Sequence, residues 1–122
     1  MEPEAWTPPH LEIKAAIERE TGAVFNSVLL NLYRNGQDGV AWHSDDEPEL
    51  GPEPVIASVS FGATRRFQLR HKTRKDLKHE FALTHGSLLV MRGPTQQHWD
   101  HQVPKTARPV EPRINLTFRA IT

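Results

Sequence analysis

His43-Ser44-Asp45 sets an imidazole and a carboxylate two residues apart, and His101 follows much later in the chain. On an extended strand, residues i and i+2 project to the same face. His43 and Asp45 can therefore share one ion from one strand while a distant strand adds a third ligand. Two imidazoles and one carboxylate form a facial triad that suits ferrous iron and leaves three positions open for oxygen and a cosubstrate. Downstream, Arg113-Ile-Asn115-Leu-Thr117-Phe-Arg119 brings two guanidiniums. Each can grip a carboxylate with two parallel hydrogen bonds, as a dicarboxylate such as 2-oxoglutarate requires. The chemistry these residue types allow is oxidation at iron, driven by a keto acid.

Each element of that pattern also has an ordinary reading. A His-x-Asp pair on an exposed strand is more often solvated than metal-binding. The third ligand is open on spacing alone, because His71, His79, His85, His98 and His101 all lie downstream. His85 sits in a turn-like Thr84-His85-Gly86, and His71 and His79 flank a charged hairpin. His98 and His101 cannot share a face unless their strand bulges, and spacing leaves the two even. In the last strand, Arg113, Asn115, Thr117 and Arg119 share one face, with Ile114, Leu116, Phe118 and Ala120 on the other. Such alternation usually marks a half-exposed strand. If the polar face instead lines the inside of a barrel, its arginines need an anion to offset the cost of burial.

The elements that must position these residues are short strands. Leu11 to Thr21 reads as the one good helix, preceded by Pro8-Pro9 and stopped at Gly22. Strands are then expected over Val24 to Arg34, Ala41 to Asp45, Val55 to Phe61, Arg66 to His71, Lys78 to Leu83, Ser87 to Arg92, His98 to Val103 and Arg113 to Ile121. Asn35-Gly36, Asp38-Gly39, Gly62-Ala63-Thr64 and Gly93-Pro94 supply breaks between them. Glu47 to Pro54 and Pro104 to Pro112 read as loops, the second exposed. About eight short strands on one helix predict a mainly β (α+β) sandwich or jelly roll.

Composition bounds the rest. With 122 residues the chain is one domain, residues 1–122, large enough to fold without staples. Cysteine is absent, which excludes disulfides, thiolate metal sites and a cysteine nucleophile. The formal net charge is zero, so bulk charge alone does not make it a polyanion binder, though a local basic patch is compatible. No secretory signal or membrane span is read, and a soluble intracellular chain is expected, cytoplasmic or, in a eukaryote, nuclear.

Six segments in order carry a resemblance: Asn31-Leu-Tyr33; Trp42-His43-Ser-Asp45-Asp46-Glu47; Ile56-Ala-Ser-Val-Ser-Phe61-Gly; His85-Gly-Ser-Leu-Leu; His98-Trp-Asp-His101; and Arg113-Ile-Asn-Leu-Thr-Phe-Arg119. Together they resemble the AlkB family of iron(II)/2-oxoglutarate dioxygenases, on the branch that contains the human homologues 2 and 3. The resemblance implies a double-stranded β-helix (jelly-roll) core. It implies Fe(II) ligands His43, Asp45 and His101, the last chosen over His98 by the Trp-x-His run. It implies 2-oxoglutarate contacts from Arg113 and Arg119, surrounded by Asn31, Tyr33, Asn115 and Thr117.

The activity implied is oxidative demethylation of N-alkylated bases, such as 1-methyladenine and 3-methylcytosine, in DNA or RNA. It consumes O2 and 2-oxoglutarate and yields succinate, CO2 and formaldehyde. His43 would stack on the damaged base, and the carboxylate of Asp46 would favour cationic lesions. The base must be flipped from its stack, which costs less for a damaged pair. The basic run with Arg65, Arg66, Arg70 and Lys72 reads alone as a solvated hairpin, and in this family as a phosphate contact. Trp6, Trp42 and Trp99 read as packing residues.

Members of the family carry a longer N-terminal region with a lid over the flipped base, and that lid is expected to be missing here. A monomer is expected, with no membrane partner. Two other functions stay open: a 2-oxoglutarate oxygenase of this fold acting on another substrate, and a non-catalytic nucleic-acid or metal-binding core.

Overall fold

The computed structural model describes residues 8–45, 48–51 and 53–121. Its first element, helix α1 (Pro8–Thr21), ends where Gly22 takes a left-handed φ of +72° and its N–H donates to the Glu18 carbonyl. A glycine adopts that conformation without a Cβ penalty. Glu18 also ties the helix to the next segment, since its carboxylate accepts from Phe25 N–H at 2.8 Å and from Lys14 Nζ at 3.0 Å. The Phe25 amide holds the Glu18 pKa below its usual value.

Among the described residues, eight strands follow: β1 (Ser27–Tyr33), β2 (Val40–His43), β3 (Ile56–Gly62), β4 (Arg65–His71), β5 (Lys78–Leu83), β6 (Leu88–Met91), β7 (Trp99–Val103) and β8 (Arg113–Arg119). They form two four-stranded antiparallel sheets, ordered β1-β8-β3-β6 and β2-β7-β4-β5. The eight strands and the long helix agree with the sequence reading. Two small elements were not expected: a 3-10 turn at Pro48–Leu50 and a one-turn helix α2 (Thr95–His98) between β6 and β7.

Side chains alternate across the first sheet and build two apolar clusters. Ile17 and Phe25 pack with Ala57, Val59, Leu116 and Phe118 where α1 covers its outer face. Tyr33, Ile56 and Met91 meet Phe67, Leu83 and Val103 between the sheets. β8 is therefore not a half-exposed strand: Leu116 and Phe118 of its apolar face are buried under α1, and Arg113 and Asn115 of its polar face are buried too. Ile114 is exposed.

The β3–β4 turn needs Gly62, because its φ is +93° and a Cβ there would collide with the carbonyl of Pro112. Among the described residues, no helix is long and apolar enough to cross a membrane.

Candidate metal centre and anion pocket

His43 closes β2, directly opposite His101 of β7, with the two rings 4.3 Å apart. Asp45 follows just past the strand and turns back onto the same site. One ligand atom from each of His43, Asp45 and His101 lies within 4.8 Å of the others. Asp45 and His101 are 7% and 5% exposed. His43 Nδ1 lies 2.8 Å from the Ala41 carbonyl. That contact fits an Nδ1–H donor, and leaves Nε2 as a lone-pair ligand.

His101 Nε2 sits 3.8 Å from Asp45 Oδ2, too far for a hydrogen bond, and has no partner among the described residues. Phe67 stacks on its ring, with centroids 5.2 Å apart. Burial, with help from His43, pushes the His101 pKa down to about 4. A neutral imidazole nitrogen and a carboxylate oxygen, both buried and facing across a gap, are what a divalent cation would satisfy. The set of two nitrogens and one oxygen is the one ferrous iron takes in facial triads.

The first sheet supplies the anion side of the same cavity, which holds about 270 Å³. Arg113 is 1% exposed. Its Nη2 donates to Ser60 Oγ at 2.9 Å, and its guanidinium lies 4.7 Å from the centre of the Tyr33 ring. Its Nε and Nη1 have no partner among the described residues, and burial lowers its pKa. Asn115 donates to Ser58 Oγ at 2.6 Å and accepts from Thr117 Oγ1 at 2.8 Å. Arg119 Nη1 approaches Asp45 Oδ1 at 3.9 Å, while its Nε has no partner among the described residues. Two cations with unused donors, Arg113 buried and Arg119 half-buried, fit a ligand carrying two carboxylates.

All nine residues expected to hold iron and 2-oxoglutarate are thus brought to one site or its wall: His43, Asp45 and His101 with Asn31, Tyr33, Arg113, Asn115, Thr117 and Arg119. The sequence reading missed Ser58, Ser60, Phe67 and Gln96. The alternation of Ser58 and Ser60 with Ala57, Val59 and Phe61 was a signal that β3 has a polar face. Nothing in the sequence marked Phe67 or Gln96.

The basic residues expected on the substrate are not brought together, and none of them lines the cavity. Arg65 is buried, and its Nη2 donates to the carbonyls of Asp38 and Pro104 at 2.9 and 2.8 Å. It clamps the β1–β2 turn to the β7–β8 loop, so the expected phosphate contact is corrected at this residue: those donors are spent on the fold. Arg66 pairs with Glu80 at 3.7 Å, and Arg70 stacks over Trp42 at 4.3 Å. Lys72 lies at the hairpin and donates from Nζ to the Gln96 carbonyl at 3.0 Å. Asp46 and Trp6 lie outside the described residues.

This jelly roll, with its His-Asp-His triad and the arginine pair across the cavity from it, has the layout of an iron(II)- and keto-acid-dependent oxygenase. The chain belongs to the 2OG-Fe(II) oxygenase superfamily, whose profile matches residues 2–119. Within it the chain is AlkB-like. It is 52% identical over 130 residues to "Alpha-ketoglutarate-dependent dioxygenase alkB homolog 3" of Bos taurus, covering 99% of this chain and 46% of that protein. It is 44% identical over 128 residues to "DNA oxidative demethylase ALKBH2" of Homo sapiens, covering 99% of this chain and 49% of that protein. The chain thus spans about half the length of these relatives. The solved structure of OsALKBH1 shares the fold, with a TM-score of 0.74 over 97% of this chain and 67% of that one, at 21% identity.

Proposed function

We propose that this chain, as a single catalytic core over residues 1–122, removes alkyl groups from N-alkylated bases of DNA or RNA by oxidation. The observation that carries the proposal is one cavity that joins a His-Asp-His set, its Asp45 and His101 buried, to a buried Arg113 and a half-buried Arg119 that both keep unused donors among the described residues. The names of its relatives, a DNA oxidative demethylase among them, point to the substrate. His43, Asp45 and His101 would hold Fe(II). Arg113, with Tyr33 and Asn31 beside it, would hold one carboxylate of 2-oxoglutarate, and Arg119 the other.

Iron and 2-oxoglutarate, held there, would supply the oxidising chemistry that converts O2 and the keto acid to succinate and CO2 and takes the N-methyl group off as formaldehyde. The protein's own residues orient and exclude. The Ser60 hydroxyl fixes Arg113, and Ser58 and Thr117 fix Asn115. Phe67, Leu83, Met91 and Val103 give the cavity an apolar wall, and a low local dielectric strengthens charge contacts beside it. Asp46 would discriminate for cationic lesions. The Lys72 hairpin, with Arg66 and Arg70 behind it, would meet the backbone phosphates.

The test is mass spectrometry of an oligonucleotide carrying 1-methyladenine after incubation with Fe(II), 2-oxoglutarate and O2, with succinate measured in parallel. Loss of the methyl mass with matching succinate is expected. Succinate without demethylation would move the substrate to another class, and neither product from folded, iron-loaded protein would leave a binding core. Asp46→Ala is expected to spare succinate formation while reducing the preference for cationic over neutral bases. An unchanged preference would remove Asp46 from recognition.

A further inference from the structure

The main chain of Asp45 has to be held by something other than the sheet. β2 ends at His43, whose pairing with His101 is the last rung of that ladder, yet Asp45 is buried. A buried backbone N–H left without a partner costs on the order of 1–3 kcal/mol. Its partner is the side chain of Gln96, whose Oε1 accepts from Asp45 N–H at 2.8 Å.

Gln96 is itself held on every side. It is 1% exposed, and its Nε2 points at Met91 Sδ, 3.4 Å away. Its main-chain carbonyl accepts from Lys72 Nζ, and Lys72 N–H donates to the carbonyl of His98. The amide cannot be turned round, because the Asp45 N–H needs an acceptor and the thioether sulfur is only a weak one. The one-turn helix α2 therefore delivers a fixed oxygen to the backbone of Asp45, one of the three residues of the His-Asp-His set. It does so between β6 and β7, the second of which carries His101.

We propose that Gln96 is a positioning residue of the metal centre. It touches no metal; it fixes the Asp45 main chain, and through it the aim of the carboxylate toward His43 and His101. The proposal rests on the iron reading of that trio. Groups that orient metal ligands typically carry about 10- to 100-fold in metal affinity.

Cobalt(II) titration, followed by visible absorption, tests this without any turnover. Gln96→Met keeps the length and bulk of the side chain and removes the acceptor. It is expected to weaken cobalt binding about tenfold or more, in a metal-free protein that still folds cooperatively, its thermal midpoint lowered by the unpaired Asp45 N–H. Gln96→Asn keeps an amide that is one methylene too short to reach, and is expected to lose affinity in the same way.

In an Asp45→Ala background, titrated at high cobalt, Gln96→Met should cause no further loss, because the residue it acts through is gone. Parental affinity in either folded Gln96 variant would overturn the proposal. So would an equal loss in the Asp45→Ala background, which would mean that Gln96 acts elsewhere. A parent protein that binds no cobalt would instead sink the metal centre itself, and Gln96's role with it.

Discussion

The two histidines of the triad differ in their surroundings, and acid should reveal it. Burial holds His101 neutral down to about pH 4, while in the unfolded chain its imidazole titrates near 6.5. Between those values the unfolded state binds the proton and the folded state does not, so stability must rise with pH across that window. Metal-free protein is therefore expected to lose stability as pH falls from about 6.5 to about 4, and His101→Gln should flatten that slope, as read by urea midpoints against pH. A slope unchanged in His101→Gln would place the acid-sensitive group elsewhere. The choice of His101 over His98 was not legible from spacing, because that depended on where β7 begins. His98 closes α2 and stacks on His71, whereas His101 lies two residues into the strand, facing His43. Gln96 was illegible for a related reason: a single buried amide has no periodicity to betray it. The arginines of β8 were legible as a pair on one face, but alternation shows that two faces differ and not which one points inward.

At the scale of elements, β8 carries both the site and the core. It is paired on both sides, by β1 and β3, so its polar face is fixed over the cavity by the same register that buries its apolar face under α1. Phe118 is completely buried against Phe25, with ring centroids 6.2 Å apart, whereas Ile114 on the same face lies beyond the helix and is exposed. Phe118→Ala is expected to cost about 3–5 kcal/mol in urea denaturation, and Ile114→Thr less than about 1 kcal/mol. Similar costs at both positions would mean that the outer face is covered along its whole length. The strands were legible within one to three residues because their alternation is strong and glycines or prolines punctuate them. Helix α2 was not, since four residues after Gly93-Pro94 are too few to show a helical period. Nor could β4 be parsed by charge: its basic residues read as one patch, while alternation sends Arg65 into the fold and Arg66 to the surface.

In the molecule as a whole, the site is shared between layers. His43, Asp45 and His101 come from the β2 and β7 side of one sheet, and Arg113, Asn115, Thr117 and Arg119 from the other. The two sheets present complementary needs across about 270 Å³: a nitrogen lone pair and a carboxylate on one side, guanidinium donors on the other. A metal would answer the first and a dicarboxylate the second, so on the proposed function a cosubstrate that reaches both should fasten the sheets together. Ligands that bind only the folded state stabilise it by about 2.7 kcal/mol at a hundredfold excess over Kd. For a domain of this size that corresponds to a thermal shift of roughly 10 °C. Manganese(II), which permits binding without turnover, is expected to raise the midpoint, and 2-oxoglutarate to raise it further only when the metal is present. Arg113→Met should keep the manganese shift and lose about half or more of the second. Loss of its charge-assisted hydrogen bonds, about 1.5–3 kcal/mol each, weakens the cosubstrate at least about tenfold. If 2-oxoglutarate instead stabilised Arg113→Met as strongly as the parent, the dicarboxylate would lie elsewhere, and the burial of this arginine would have to be explained by the fold alone.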